Sequence, residues 1–250
     1  MTLILNTWIF EEAVQHGISQ SDLVDRVAKL GADGIEVRRE YFSNLQTELP
    51  AVAKRAQTNR MIVNYSVPDD LFTKSGELNP NLQGYLDEGR VMGVNKIKFN
   101  TGHFDRFSGD LSETLGQLRL GDMELNVEND QTPVSGTVTA IKTFLKASTK
   151  AGFDKIGYVY DLGNWAFTHG DAIASADELR SKTHYIHLKN TREDGGELKT
   201  TDNLDVGIYD WRDLLHHHLP QNVMIALEYP MVSDEQIRSQ IALVKSEVGE

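Results

Sequence analysis

The sequence predicts an α/β protein, a single (β/α)8 TIM barrel spanning residues 1–250, and three observations support this fold class. One turn pattern is repeated along the chain, and short apolar segments alternate with amphipathic ones. The length of 250 residues matches the roughly 250 typical of one such barrel. The composition is 40% hydrophobic and 25% charged, and no Pro-rich or Gly/Ser-rich stretch marks a linker. We therefore expect one domain.

A five-residue turn pattern occurs three times, at residues 31–35, 93–97 and 152–156. Its copies read Gly-Ala-Asp-Gly-Ile, Gly-Val-Asn-Lys-Ile and Gly-Phe-Asp-Lys-Ile, and each follows an amphipathic stretch and precedes a short apolar one. The glycine favours the left-handed conformation that ends a helix, the Asp or Asn favours a turn, and the isoleucine opens a strand. One helix-turn-strand unit is therefore reused.

Eight short apolar segments are candidate strands. They cover residues 3–8, 34–38, 61–66, 96–100, 123–128, 156–161, 183–189 and 223–228. Helix-like segments lie between them or after the last, including residues 21–30, 82–92, 138–150 and 233–244. Strands that alternate with helices form parallel βαβ units, and eight such units fit a closed barrel.

An open, doubly wound sheet is the alternative architecture for alternating strands and helices. The sequence disfavours it, because the first predicted strand is followed by residues 6–10, Asn-Thr-Trp-Ile-Phe, instead of a Gly-x-Gly-x-x-Gly turn. The phosphate-binding Walker pattern is also absent from the sequence, which argues against nucleotide chemistry.

Charge and composition exclude several classes of function. The formal net charge is −12, which disfavours the basic surface that binds DNA or RNA, so we expect no nucleic-acid partner. The absence of cysteine excludes disulfides, thiolate metal sites and cysteine nucleophiles. The sequence has no apolar stretch of the about 18 residues that a membrane-spanning helix needs, and no signal-like N-terminus. We expect a cytoplasmic protein with no membrane partner.

Ionisable residues end the last four predicted strands. Apolar residues precede each of them, in Leu-Asn-Val-Glu128, Tyr-Val-Tyr-Asp161, Tyr-Ile-His187 and Ile-Ala-Leu-Glu228. The C-terminal ends of barrel strands are where barrel enzymes build their active sites, whereas single ionisable residues elsewhere are usually surface or satisfied core groups. We therefore interpret the four as one site.

Three carboxylates at one small mouth would repel one another and raise one another's pKa unless a cation neutralised them. A divalent ion is the simplest cation, and we predict one such ion bound by Glu128, Asp161, His187 and Glu228. Three oxygen donors and one imidazole without sulfur suit Mn²⁺, Mg²⁺ or Co²⁺, and Zn²⁺ is possible.

Short motifs on five of the predicted strands resemble one superfamily. They are Gly-Ile-Glu36-Val, Val-Glu128-Asn, Asp161-Leu-Gly-Asn164, His187-Leu-Lys189-Asn and Leu-Glu228-Tyr. With these motifs the chain resembles, over nearly its whole length, the xylose isomerase-like barrel superfamily of sugar isomerases and epimerases. The superfamily also includes hydroxypyruvate isomerase, the ketose 3-epimerases and several dehydratases. The match is specific for the superfamily and its metal site, and weak for the substrate.

The resemblance implies roles for the strand-end residues. In such proteins the Glu, Asp, His and Glu at these places bind one metal ion, and the two glutamates act as acid and base, which here are Glu128 and Glu228. Related barrels are often dimers or tetramers, so we expect a homo-oligomer. Two positions depart from the ketose epimerase pattern. Asn164 replaces a substrate-contacting His, and Glu193 replaces an Arg, with Arg192 one position earlier.

The predicted activity is isomerisation or epimerisation of a small sugar or polyhydroxy keto compound. A metal with open positions can chelate a carbonyl oxygen and a neighbouring hydroxyl, which stabilises the enediolate formed when the carbon loses a proton. One glutamate removes the proton and the other returns it to the opposite face or to the adjacent carbon. Loss of a β-hydroxyl from the same intermediate would make the protein a dehydratase, and the sequence does not decide between these outcomes.

Further polar residues are candidates for binding substrate oxygens or a substrate carboxylate. They share strand parity with the predicted ligands or lie just beyond them, and the alternative for each is an ordinary structural role. The candidates are Glu36, Arg38, Lys98, His103, Asn164, Lys189 and Arg192.

Two other classes of function stay open. A non-catalytic sugar-binding protein would use the same mouth without turnover. A relative of the apurinic endonucleases would need several more His ligands, including one where Asn164 stands, and would have to hold DNA on a chain of net charge −12.

Overall fold

Eight parallel strands close into a barrel in this computed structural model, which describes residues 1–249. The strands, in chain order, are β1 (Leu3–Asn6), β2 (Gly34–Arg38), β3 (Ile62–Phe72), β4 (Lys96–Gly102), β5 (Glu124–Glu128), β6 (Gly157–Asp161), β7 (Thr183–Leu188), β8 (Thr191–Asp194), β9 (Glu197–Thr200) and β10 (Met224–Leu227). Strands β1 to β7 and β10 form the barrel, and β8 pairs with β9 in a separate hairpin.

Helices surround the barrel. They are α1 (Glu11–Gln15), α2 (Gln20–Leu30), α3 (Leu45–Asn59), α4 (Leu82–Met92), α5 (Leu111–Gly116), α6 (Val138–Lys150), α7 (Ala172–Leu179), α8 (Trp211–Asp213) and α9 (Asp234–Glu247). Within residues 1–249 we find no helix that is both long and apolar enough to span a bilayer.

The repeated glycine turn ends helices as its sequence predicts. Gly31, Gly93 and Gly152 have φ angles of 89°, 70° and 94°, which lie in the left-handed region. Glycine adopts this conformation without the steric cost that a Cβ would add. Each of these turns leads directly into a barrel strand, so one local signal sets the spacing of α2–β2, α4–β4 and α6–β6.

The barrel closes in the strand order β1-β10-β7-β6-β5-β4-β3-β2, with β1 paired to both β10 and β2. This closure confirms the predicted (β/α)8 fold class. A small apolar cluster of Ile4, Val159, Tyr185 and Ala226 fills the barrel interior, while the larger core lies between the strands and the helices. Helix α2 shows how that outer core forms, since its Leu23, Val24 and Val27 are fully buried.

Three segments differ from the sequence expectation. Strand β1 ends at Asn6 instead of residue 8, because the Asn6 side chain accepts a hydrogen bond from Trp8 N and starts a 3₁₀ turn. Strand β3 continues past Pro68 to Phe72 through a register shift, as proline permits at a bulge. The β8–β9 hairpin was not predicted, although its turn residues Gly195 and Gly196, with φ of 64° and 87°, are typical of a tight hairpin.

The buried side chain of Asn190 anchors the segment that follows β7. Its Nδ2 donates to the carbonyl oxygens of Leu204 and Tyr209, both at 2.9 Å, and its Oδ1 accepts from the backbone N–H groups of Thr191 and Tyr209. The backbone oxygen of Asn190 accepts from Thr201 N at 2.9 Å. One asparagine therefore ties both ends of the segment from residue 191 to residue 209 to the barrel.

Candidate metal and substrate site

The four predicted metal ligands lie together at the C-terminal mouth of the barrel. Glu128, Asp161, His187 and Glu228 each offer a ligand atom, and these atoms all lie within 4.8 Å of one another. All four residues are buried, with relative exposures of 7%, 0%, 0% and 2%. This group of residues could hold a metal ion.

Strand order and register bring the four together. The residues come from β5, β6, β7 and the end of β10, which are neighbours in the barrel, and Asp161 is in register with His187. Side chains alternate between the two faces of a strand, so residues two positions apart share a face. Val159, Tyr185 and Ala226 belong to the interior cluster, and the residues two positions later, Asp161, His187 and Glu228, therefore point inward.

The ring of His187 lies between carboxylates on both of its edges. Its Nδ1 is 3.0 Å from Glu128 Oε1 and 3.0 Å from Glu228 Oε2, and its Nε2 is 3.2 Å from Glu36 Oε2. Burial would lower the pKa of His187, but Glu36, Glu228 and Glu128 outweigh it and raise this pKa well above its ordinary value. Asn6 Nδ2 donates to Glu36 Oε1 at 2.6 Å and to Glu228 Oε1 at 3.0 Å.

Three cationic side chains contact the same carboxylates. Lys98 Nζ lies 2.5 Å from Glu128 Oε2, and Lys189 Nζ lies 2.7 Å from Asp161 Oδ2 and 3.3 Å from Glu228 Oε2. Arg38 NH1 donates to Glu228 Oε1 at 2.9 Å. The protein therefore supplies from its own side chains part of the charge compensation that the sequence argument assigned to a metal ion.

These contacts shift the pKa values of the three carboxylates in different directions. Burial would raise the pKa of Glu128, but Lys98 and His187 outweigh it and lower this pKa to about 2. Burial raises the pKa of Asp161 to about 7, and Lys189 offsets only part of this effect. Burial would also raise the pKa of Glu228, yet Lys189, Lys98 and His187 lower it well below its ordinary value. In this arrangement Glu128 and Glu228 are ionised at neutral pH.

A pair of asparagines fixes Asp161. Asn129 Nδ2 donates to the Asp161 carbonyl, and Asp161 N donates back to Asn129 Oδ1. Asn164 N donates to Asp161 Oδ1 at 3.2 Å, and Asn164 Nδ2 donates to the Asn129 carbonyl at 2.7 Å. The sequence analysis missed Asn129 as a site residue, although it directly follows Glu128 in one of the quoted motifs.

Two of the four residues, Glu128 and Glu228, line a cavity of about 300 Å³. Its lining is Trp8, Arg38, Ser66, Val67, Pro68, Lys98, Phe99, Asn100, Glu128, Asp130, Gln131, Asn164, Lys189 and Glu228. Four of the residues predicted to bind substrate, Arg38, Lys98, Asn164 and Lys189, are in this set. The cavity has room for a small sugar-sized molecule.

The other three residues predicted to bind substrate lie elsewhere. Glu36 is 1% exposed and contacts His187 and Asn6, so it supports a predicted ligand. His103 lines a second cavity of about 370 Å³ beyond the end of β4. Arg192 is exposed on the β8 strand of the hairpin.

The donor set fits a divalent metal ion. Among the described residues, no hydrogen bond reaches the buried atoms Glu128 Oε1 and Asp161 Oδ2, although a cationic side chain lies within ion-pair distance of each. Buried oxygens without a hydrogen bond are rare in proteins and are often explained by an ion. Carboxylate oxygens and one imidazole nitrogen form a set that Mn²⁺, Mg²⁺, Co²⁺ and Zn²⁺ accept.

No family model matches the chain, and no curated protein sequence is similar to it. Several solved structures share its fold over nearly the full length of both chains. An L-ribulose 3-epimerase has a TM-score of 0.72 at 13% identity, covering 99% of this chain and 95% of its own. The probable 3-DHS dehydratase AsbF from Bacillus anthracis has a TM-score of 0.70 at 15% identity, covering 98% and 99%. The IolI protein, solved with a bound zinc atom, has a TM-score of 0.70 at 15% identity, covering 99% and 98%.

The chain shares the TIM-barrel fold of these proteins. A further structural neighbour is described as a xylose isomerase-like TIM barrel fused to a 4-hydroxyphenylpyruvate dioxygenase, with a TM-score of 0.67 at 13% identity over 96% of this chain and 41% of its own. Within this fold the similar proteins include epimerases and a dehydratase. At these identities the likeness establishes the fold, and the chemistry has to be argued from the site.

Proposed function

We propose that this protein is a divalent-metal-dependent isomerase or epimerase of a small polyhydroxy carbonyl compound. The observation that carries the proposal is the convergence of Glu128, Asp161, His187 and Glu228, of which the two glutamates line a small cavity. The similar structures support it, because sugar epimerases and an enzyme described as a dehydratase share the same fold over their full lengths.

Glu128 and Glu228 are the proposed acid and base. Both line the cavity, and their strands β5 and β10 are three steps apart around the barrel, so the two carboxylates reach a substrate from different sides. Their lowered pKa values leave both carboxylates ionised and without a proton at neutral pH. In the proposed reaction one ionised glutamate takes the proton from the carbon beside the carbonyl. The other glutamate first takes a proton from solvent and then donates it to the opposite face or to the neighbouring carbon, and the first glutamate releases its proton to solvent.

The same four residues would hold the metal ion, with Mn²⁺, Mg²⁺ and Co²⁺ as the leading candidates and Zn²⁺ possible. When bound, such an ion polarises the substrate carbonyl and makes the adjacent carbon more acidic. The chain contributes the orientation of its own ligands. Asn129 and Asn164 hold Asp161, and Glu36 holds the ring of His187.

A dehydratase is the second candidate function. Its support is the similarity to the probable 3-DHS dehydratase, which matches this chain as well as IolI does. The same proton abstraction would start both reactions, and departure of a β-hydroxyl instead of return of the proton would distinguish them.

Proton exchange with solvent tests the proposal directly. The protein is stripped of metal with a chelator, reloaded with Mn²⁺ and incubated in deuterium oxide with ketoses, 2-keto acids and inososes. We expect deuterium at the carbon beside the carbonyl for at least one substrate class, detected by nuclear magnetic resonance. Glu128→Gln and Glu228→Gln should each reduce the exchange rate by about a hundredfold or more, because each removes a positioned acid-base group.

Glu193→Gln is the matched control, since Glu193 is exposed on the β8–β9 hairpin and does not line the cavity. It should leave the exchange rate unchanged. A new unsaturated ketone that absorbs ultraviolet light, formed without product bearing the returned proton, would establish the dehydratase instead. Binding without exchange, or exchange that survives both glutamate substitutions, would show that the proposal is wrong.

A further inference from the structure

The floor of the cavity carries three cationic side chains that a neutral sugar does not need. Lys98, Lys189 and Arg38 all line the cavity, and their side chains are 9%, 5% and 20% exposed. Taking a charged group out of water costs several kcal/mol unless it is paired. Each of these three cations therefore needs a negatively charged partner.

In the metal-free arrangement, the predicted metal ligands are those negative partners. Lys98 pairs with Glu128, Arg38 pairs with Glu228, and Lys189 bridges Asp161 and Glu228. Lys189 occupies the more critical place, because its ammonium contacts oxygens of two predicted ligands, Asp161 Oδ2 at 2.7 Å and Glu228 Oε2 at 3.3 Å. A metal ion bound by Asp161 and Glu228 has to compete with this ammonium group for the same oxygens.

A count of formal charges shows the result of that competition. Four carboxylates, those of Glu36, Glu128, Asp161 and Glu228, face the three cations. With His187 as the neutral ligand that a metal ion requires, these groups carry one excess negative charge. A bound divalent ion would change that to one excess positive charge. The count covers only groups in direct contact with the predicted ligands. Asp130 also lines the cavity, but among the described residues it forms no ion pair with Lys98, Lys189 or Arg38, and its Oδ1 accepts hydrogen bonds from Thr132. Glu40, which pairs with Arg38, is 35% exposed and screened by water.

We infer that the substrate of this site carries a carboxylate, and that Lys98, Lys189 and Arg38 form its receptor. This inference rests on the proposed function and narrows it from polyhydroxy carbonyl compounds in general to small polyhydroxy keto acids. A metal ion held by Asp161 would take the oxygen that Lys189 now contacts, and a substrate carboxylate would then serve as the partner of Lys189. Trp8, whose ring centroid is 5.3 Å from Lys189 Nζ, keeps the ammonium at the cavity wall.

A carboxylate fits this cavity better than a phosphate. Barrels that bind phosphate often use the loops after their seventh and eighth strands together with the N-terminus of a short helix. Here the seventh barrel strand, β7, leads into the antiparallel β8–β9 hairpin. The cationic groups instead come from side chains of β2 and β4 and from the end of β7, and they are already arranged against carboxylates.

Matched pairs of non-reacting ligands test the inference without turnover. Glycerate, erythronate and gluconate are compared with glycerol, erythritol and sorbitol on the Mn²⁺-loaded protein by isothermal titration calorimetry. Each acid should bind about tenfold or more tightly than its polyol, which is the worth of one charge-assisted hydrogen bond. Lys189→Met should remove most of this preference. Lys199→Met, at an exposed hairpin lysine, should keep it.

The Mn²⁺ affinity of Lys189→Met distinguishes a role of Lys189 in anion binding from a purely structural role. Because the Lys189 ammonium competes with the metal, Lys189→Met should bind Mn²⁺ more tightly than the unchanged protein does, whereas loss of a structural support would weaken Mn²⁺ binding. Circular dichroism shows whether Lys189→Met is folded. Lys98→Met is an independent variant that should also lose the preference for acids, and it replaces Lys189→Met if that variant does not fold.

The outcomes distinguish this inference from the proposed function. Equal binding of acids and polyols, or tighter binding of glycerol 3-phosphate than of glycerate, overturns the carboxylate receptor even if proton exchange is observed. An acid preference that survives both lysine substitutions overturns it as well, since the metal alone would then hold the acid. Acid preference without any proton exchange upholds the receptor and shows that the proposed reaction is wrong.

Discussion

Glu36 Oε2 lies 3.2 Å from Nε2 of His187, on the side of the ring opposite the other predicted metal ligands. This contact fixes which ring nitrogen faces the cluster. In the neutral ring that a metal ion would bind, a proton on Nε2 leaves the Nδ1 lone pair directed toward Glu128 and Glu228. A carboxylate that orients a metal-binding histidine in this way raises the basicity of the ligand. Asn6 donates a hydrogen bond to Glu36, so Asn6 also helps to orient the ring of His187.

Replacing Glu36 should weaken metal binding without touching the cavity wall. We expect Glu36→Gln to reduce Mn²⁺ affinity by about tenfold or more, in line with other losses of outer-sphere carboxylates. Isothermal titration calorimetry of the metal-free protein measures the effect, and Glu193→Gln on the hairpin serves as the control. Unchanged affinity in Glu36→Gln would mean that the rest of the pocket orients His187.

Glu124 begins β5 at the opposite end of the barrel and should make stability depend on pH. Its Oε2 is 2.7 Å from Lys96 Nζ, and its Oε1 is 3.1 Å from His184 Nδ1. Burial would raise the pKa of Glu124, but His184 and Lys96 outweigh it and lower this pKa to about 2. The folded state therefore prefers the ionised form. The stabilisation is present above the unfolded pKa of 4.5 and is lost as the pH falls toward about 2.

The substitution Glu124→Gln should accordingly lower the free energy of unfolding near pH 7 by about 1 kcal/mol, a value reduced for the partial exposure of the pair. The difference from the unchanged protein should shrink below about pH 4.5. Urea unfolding at a series of pH values measures both effects. Glu197→Gln, at an exposed hairpin position, should show neither. A gap that stays constant across the acid range would exclude the ion pairs as its cause.

Replacement by alanine should change the free energy of unfolding in opposite directions at two glycines. At Gly163, an added Cβ would lie 2.6 Å from Lys189 Cγ and 3.1 Å from Thr191 Oγ1, so it would displace the lysine. At Gly84, inside α4, an added Cβ meets nothing within 4 Å. We expect Gly163→Ala to cost about 1 to 3 kcal/mol of unfolding free energy, as overpacking does. Gly84→Ala should add about 0.5 to 1 kcal/mol because alanine favours the helix.

Urea unfolding of the two alanine variants provides the comparison, and each variant is the control for the other. If Gly163→Ala proved as stable as the unchanged protein, the Lys189 stem would have to move freely, and its close approach to Gly163 would not matter.

The barrel could be predicted from sequence because its signals are local and repeated. The left-handed glycines mark helix ends, and all eight predicted barrel strands are present, with shifted ends at several of them. The hairpin was missed because its two strands, Thr191–Asp194 and Glu197–Thr200, are short and polar, so periodicity does not reveal them. Only the paired Gly195 and Gly196 pointed to a tight turn.

Strand parity and strand ends allowed the positions of the site residues to be predicted, but not their contacts. Parity and strand ends placed Glu128, Asp161, His187 and Glu228 on one side of the barrel, and the structure brings them together. Strand parity could not show which residue each side chain contacts, because these contacts depend on rotamers and on neighbouring strands. The sequence analysis therefore offered Glu36 and Lys189 as substrate-binding or structural residues without naming their partners, which are His187 and Asp161.

The anchoring of residues 191–209 by Asn190 makes that segment a replaceable module. The barrel continues on either side of it, and its further hydrogen bonds include those to Gly163 and to Gln236 and Gln240 of α9. Among the described residues, none of its hydrogen bonds involves Glu128, Asp161, His187 or Glu228. Insertions, deletions or exchanges at the β8–β9 turn can therefore change this surface while the four predicted ligands stay in place. Evolution or a protein engineer can then vary the chain that follows β7 independently of the predicted metal site.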